Sequence, residues 1–216
     1  MKIGVRGQCL MGRSLRFKIN KSHQIMKDAI NRLNEAKKQA NSNGDFQFSG
    51  GSTLFKSIDE DIPNYGYVKY KVINNTFKDG ASSKKPNATL IAHSKVTDEN
   101  SPLKNYFTVL KPRKHRIYRN KLLVGSPRNI GTEYGEEFGL GRSGGVWSRD
   151  TDTETLLLEE LSNRFDKKTV AEVTLFTYLE PCLSCDMTIV KFLEDFPMVT
   201  LNIYFYKEKN NCVIGG

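Results

Sequence analysis

Between Ser22 and Ala40 the apolar positions Ile25, Ala29, Ile30, Leu33, Ala36 and Ala40 recur at three- and four-residue steps among Lys, Asn and Glu. This spacing predicts an amphipathic helix, with Ser22 placed to cap its first turn. Residues 41–63 are rich in Ser, Gly, Asn and Asp and read as a loop. The stretches YGYVKYKVI (65–73) and ATLIAHSKV (88–96) are short, β-branched and aromatic, and a Lys/Ser/Gly/Pro turn region separates them. They predict the two strands of a hairpin. From Thr97 to Asp150 periodicity is weak and glycine frequent, and a connection this long in a compact domain is usually functional or mobile. Pattern returns at DTDTETLLLEELSNRF (150–165), where Leu156, Leu157, Leu158, Leu161 and Phe165 give a helix with a broad apolar face. EVTLFTYLE (172–180) is almost continuously apolar or aromatic, as suits a strand at the centre of a sheet. A helix opened by Cys182 and burying Leu183, Met187, Val190 and Leu193 follows, and then the β-forming run TLNIYFYK (200–207). Strand, helix and strand make a βαβ crossover behind the hairpin, so the fold class is α/β with a mixed sheet.

At 216 residues the chain is long enough for one sizeable core, or one domain with an appendage. Its four cysteines, Cys9, Cys182, Cys185 and Cys212, are too unevenly placed for the disulfide framework of a small secreted domain. No apolar run is long enough to span a bilayer, and Arg and Gly interrupt the first twenty residues where a signal peptide needs an apolar stretch. No membrane partner is expected, nor an export signal in this chain. The net charge of +9 and the isoelectric point near 9.3 favour a polyanionic partner. Much of that charge is local. Lys104, Lys111, Arg113, Lys114, Arg116, Arg119, Lys121 and Arg128 follow one another with no Asp or Glu among them. Tyr106, Phe107, Tyr118, Tyr134 and Trp147 lie within or near this run, a mixture of cations and flat rings that suits single-stranded nucleic acid. A solvated basic surface is the competing reading.

Two of the four cysteines stand together in PCLSC (181–185) at the start of a helix. Such a pair can exchange disulfides, hold a metal, or pack as small apolar residues. A thioredoxin-like redox site requires further strands and a helix after its motif, and only residues 186–216 follow Cys185. A zinc site needs more than two thiolates, and the nearest further donors are in TDTE (151–154), at the start of the preceding helix. Thr-x-x-Glu is also the capping-box pattern, in which Thr151 and Glu154 would satisfy each other's free backbone N–H groups. Against that reading, a central strand joins the two helices, so Asp152 and Glu154 can converge with the thiols above the sheet.

DTE followed by PCLSC, with a helix and a strand between, resembles the H-x-E and P-C-x-x-C signature of the cytidine-deaminase-like superfamily of zinc deaminases. The wording of DTETLLLEEL and LFTYLEPCLSCDMTIVKFLEDFP is most similar to the deaminase domains of bacterial polymorphic toxins, in which Asp can replace His. The resemblance covers residues 149–207. It implies a three-layer α/β/α cytidine-deaminase-like fold, with residues 1–50 a basic tail and amphipathic helix and residues 51–216 the deaminase domain. It further implies one Zn2+ held by Asp152, Cys182 and Cys185, with water in the fourth position acidified to a pKa of about 7. Glu154 would carry protons without binding metal. Asp in place of His adds negative charge to the site, as three cysteinates would in deaminases with that ligand set.

The implied activity is hydrolytic deamination of cytosine to uracil in nucleic acid, with DNA favoured over RNA and strandedness open. Trp147 is expected to stack on the base, or else to pack in the core, and Arg113, Lys114, Arg116 and Arg119 to meet phosphates. His93 is a candidate substrate contact, and His93 and His115 are rival zinc ligands. The toxin resemblance implies a larger secreted effector acting in the cytoplasm of a target cell, and an immunity protein that blocks the site; the domain itself is expected to be a monomer. The alternatives are a non-catalytic nucleic-acid-binding module with a closed, structural zinc, and a deaminase of adenine or free nucleosides.

Overall fold

The computed structural model describes residues 14–45, 65–94, 96, 99–109, 152–181 and 183–207. They form one five-stranded sheet of order β1-β5-β4-β2-β3. The strands are β1 (Ser14–Lys18), β2 (Tyr65–Val72), β3 (Asn87–His93), β4 (Ala171–Leu179) and β5 (Val199–Lys207). Three helices cover it: α1 (Gln24–Ser42), α2 (Thr153–Ser162) and α3 (Leu183–Asp195). No helix among the described residues is long and apolar enough to cross a membrane.

The sheet is mixed, as the pattern predicts. β2 and β3 form the antiparallel hairpin, with Val68 opposite Leu90, and β2 also runs antiparallel to β4, with Val68 opposite Leu175. β4, α3 and β5 make the crossover, and β4 and β5 pair in parallel. β4 is central and alternates between two cores. Val173 and Leu175 face α2 and α3 together with Leu157, Leu161, Phe192 and Ile203. Phe176 and Tyr178 face α1 together with Met26, Leu33, Tyr65 and Tyr67. Because both faces are covered, β4 needs an apolar side chain at nearly every position, which is how its sequence reads.

Three details depart from the expected elements. The segment around Arg16, expected within a basic tail, supplies β1, which pairs in parallel with β5. α1 is capped by His23 and not by Ser22: the His23 Nδ1 accepts from the Ile25 N–H at 3.2 Å, while Ser22 turns both its N–H and its hydroxyl to Asn20 Oδ1. α2 is buried at every one of its ten residues, not on one face alone. Its buried charge is offset locally: Glu160 Oε1 accepts from Arg164 Nε at 2.9 Å and from the Ser82 hydroxyl, and Arg164 also donates to the Tyr70 hydroxyl. The expected domain boundary after residue 50 lies outside the described residues; β1 and α1, which precede it, belong to the same sheet and its second core.

Candidate functional site

β4 ends at Leu179, and the chain turns through the buried Pro181 into α3. The N-terminus of α2 reaches the same end of the sheet, because Thr153 is seated on Gly66, whose partner across β2 and β4 is Thr177. A Cβ on Gly66 would lie 2.9 Å from Thr153 Cβ and 2.8 Å from Leu157 Cδ1. Only the absent side chain at Gly66 permits this approach. Two helix N-termini, each favourable to negative charge, are thereby brought together, and α2 packs on α3.

At their meeting point the Cys185 thiol donates to Asp152 Oδ2 at 3.4 Å, across 33 residues of sequence. Asp152 is the N-cap of α2, yet its side chain makes no capping hydrogen bond. Thr151 lies outside the described residues, and with Asp152 at the N-cap Glu154 stands at the second helical position, one short of the capping-box place. Its carboxylate instead accepts from the Thr153 hydroxyl at 3.0 Å, and the residue is 2 % exposed. The helix-cap account of DTE therefore does not describe how these side chains are used.

The donor set suits zinc. Tetrahedral zinc with oxygen at 2.0–2.2 Å and sulfur at 2.3 Å separates those two ligand atoms by about 3.6 Å, close to the 3.4 Å between Asp152 Oδ2 and Cys185 Sγ. Cys182 lies outside the described residues, among which no group of three or more His, Cys, Asp or Glu is gathered for a metal. His93 is 1 % exposed and ends β3 opposite Tyr65. Strand alternation puts it on the α1 face, with Tyr65 and Tyr67, whereas Asp152 and Cys185 belong to helices on the other face. Trp147, Arg113, Lys114, His115, Arg116 and Arg119 lie outside the described residues; of the basic run, Lys104 is described, exposed in a 3₁₀ turn (Pro102–Asn105).

Sequence reasoning missed Arg16. From β1 it reaches the first turn of α3 and pairs with Asp186, next to Cys185, at 2.5 Å. A cleft of about 580 Å3 runs along the β3 edge between Arg32, Lys104, Phe107 and Arg164; Asp152, Glu154 and Cys185 do not line it.

Compared with known families, residues 15–207 match the model described as "Toxin-deaminase: The BURPS668_1122 family of deaminases". No curated protein and no solved structure matches the chain.

Proposed function

The chain belongs to this family of toxin deaminases, and from that premise we propose that it is a zinc-dependent hydrolase converting cytosine to uracil in nucleic acid, DNA in preference to RNA. The observation that carries the reading is the meeting of Asp152 with Cys185 at 3.4 Å beside a buried Glu154. Asp152, Cys185 and Cys182 would hold the metal. When bound, zinc supplies water made acidic enough to attack near neutral pH.

Glu154 takes a proton from the attacking water and passes it to the ring nitrogen, and the water oxygen bonds to C4. The exocyclic C–N bond then breaks. A second proton delivered through Glu154 lets the amine leave as ammonia, so water and cytosine are consumed and uracil and ammonia are formed. Burial of Glu154 keeps bulk water from competing for those protons. The basic run from Lys104 to Arg128 favours a polymer over a free nucleoside, although Tyr106 and Phe107, expected as rings within it, are buried in the core against α1. In the same reading the domain is a monomer, acts in the cytoplasm of a target cell after delivery by a larger effector, and is blocked by an immunity protein.

The decisive experiment incubates the zinc-loaded protein with mixed pools of single- and double-stranded DNA and RNA and sequences the products. C-to-T changes in DNA, lost in Glu154→Gln, are expected. Unchanged bases with tight polymer binding would instead favour a non-catalytic zinc module, and A-to-G changes an adenine deaminase.

A further inference from the structure

We propose that Thr153, the middle residue of DTE, is a positioning residue that fixes the orientation of the Glu154 carboxylate; the inference rests on the proton-carrying part given to Glu154 above. A glutamate at the second position of a helix has three side-chain torsions to settle, and a proton carrier that must serve a water, a ring nitrogen and an amine in turn works only within a narrow range of them. Glu154 receives a defined restraint. The Thr153 hydroxyl donates to Oε2 at 3.0 Å, from the adjacent residue and within the same first turn. The same hydroxyl oxygen that donates to Glu154 stands over Gly66 beside the Thr153 Cβ, at 3.0 and 2.9 Å from where a Gly66 Cβ would lie.

Thr153 is itself immobilised. It is fully buried, and the space over Gly66 admits its Cβ only because β2 carries no side chain there. A threonine has few χ1 choices, so a buried one pressed on a strand points its hydroxyl one way. Sheet, Gly66, Thr153 and Glu154 form a chain of contacts that sets the carboxylate from the rigid part of the fold.

Packing and hydroxyl functions separate by substitution. Thr153→Val keeps the shape over Gly66 and removes the hydroxyl; Thr153→Ser keeps the hydroxyl and removes the methyl. With a cytosine-bearing oligonucleotide as probe, Thr153→Val is expected to lower kcat by about 10- to 100-fold, the scale of a misplaced catalytic group, with KM and zinc content unchanged. Thr153→Ser should hold kcat within about twofold of the parent even if it melts at lower temperature. Wild-type kcat in Thr153→Val overturns the inference, and so does an equal loss in both variants, which makes packing the cause. Glu154→Gln, assayed alongside, separates the two levels: if it is active the proton-carrier reading falls, and if it is inactive while Thr153→Val is not, only the positioning role falls.

Discussion

Arg16 on the first strand and Asp186 in the first turn of the last helix are 170 residues apart in sequence and form an ion pair at 2.5 Å, with side chains 17 % and 26 % exposed. Such a pair lies between the exposed kind, which contributes little, and the fully buried kind, whose disruption is severe. A double-mutant cycle of Arg16→Met and Asp186→Asn, followed by urea unfolding, is expected to give a coupling energy of about 1–2 kcal/mol. Additive single effects would show that the two ends of the chain are held by the β1–β5 ladder alone.

Asp152→Ala is expected to lose both zinc and activity, whereas Asp152→His, which restores a commoner ligand, keeps the metal. His93→Ala keeps it too, because His93 lies on the α1 face of the sheet. Metal analysis of the purified variants decides the matter: zinc at full stoichiometry in Asp152→Ala, with its loss in His93→Ala or His115→Ala, would transfer the third ligand to a histidine.

Gly66→Ala places a methyl 2.9 Å from Thr153 Cβ, an atom fixed by its own backbone. The N-terminus of α2 has to lift, at a cost of about 1–3 kcal/mol typical of overpacking, and deamination should fall with it. Thermal melting and turnover are measured together, and a variant that melts like the parent would mean that the strand and helix adjust freely.

Neutralising Arg113, Lys114, Arg116 and Arg119 together is expected to weaken polymer binding and reduce the slope of log K against log salt by up to about 3, at roughly 0.7 per phosphate contact on a single strand. Titration of a labelled oligonucleotide at several salt concentrations tests this. An unchanged slope would make the run a solvated surface.

Two tyrosines on the α1 face give up their protons only at high pH. Burial, reinforced by Asp28, pushes the Tyr67 phenol from about 10 up to about 12, and burial with Tyr178 raises Tyr65 further. Since the folded values exceed the unfolded ones, the folded state holds these protons longer, and the associated stability is complete below pH 10 and lost as pH rises through about 12. Ultraviolet titration should show two late phenols, and Tyr67→Phe should flatten the alkaline fall in stability.

How far the sequence was legible depends on where the determining contacts lie. The hairpin, the crossover and the helix after Asp152 follow from local periodicity, because each buries a stripe that its own residues define. β1 has the strand alternation too, with Leu15 and Phe17 alternating with Ser14, Arg16 and Lys18, but five residues carry little signal and its partner β5 is far away in sequence. The meeting of Asp152 with Cys185 was legible from the order DTE, strand, PCLSC, since a central strand returns both helix N-termini to one end. Thr151 and Glu154 suggested a cap because spacing alone cannot tell that the helix starts at Thr153. Nothing local marks Gly66 as the seat of α2, and nothing at Arg16 points to Asp186; both depend on which surfaces the topology brings face to face.

Ser14 pairs with Leu201 and Lys18 with Phe205, so the first and last of the described strands are neighbours in the sheet. On a ribosome, β1 emerges long before β5, the strand it pairs with, and the loop that closes when the two meet spans residues 19–198. Contacts of such high sequence separation slow folding. Until β5 has been made, Arg16 has no strand to carry it towards Asp186. The β1–β5 ladder therefore forms only once the chain has been made beyond residue 199, and a chain stopped short of it lacks the strand that holds Arg16 beside the first turn of α3.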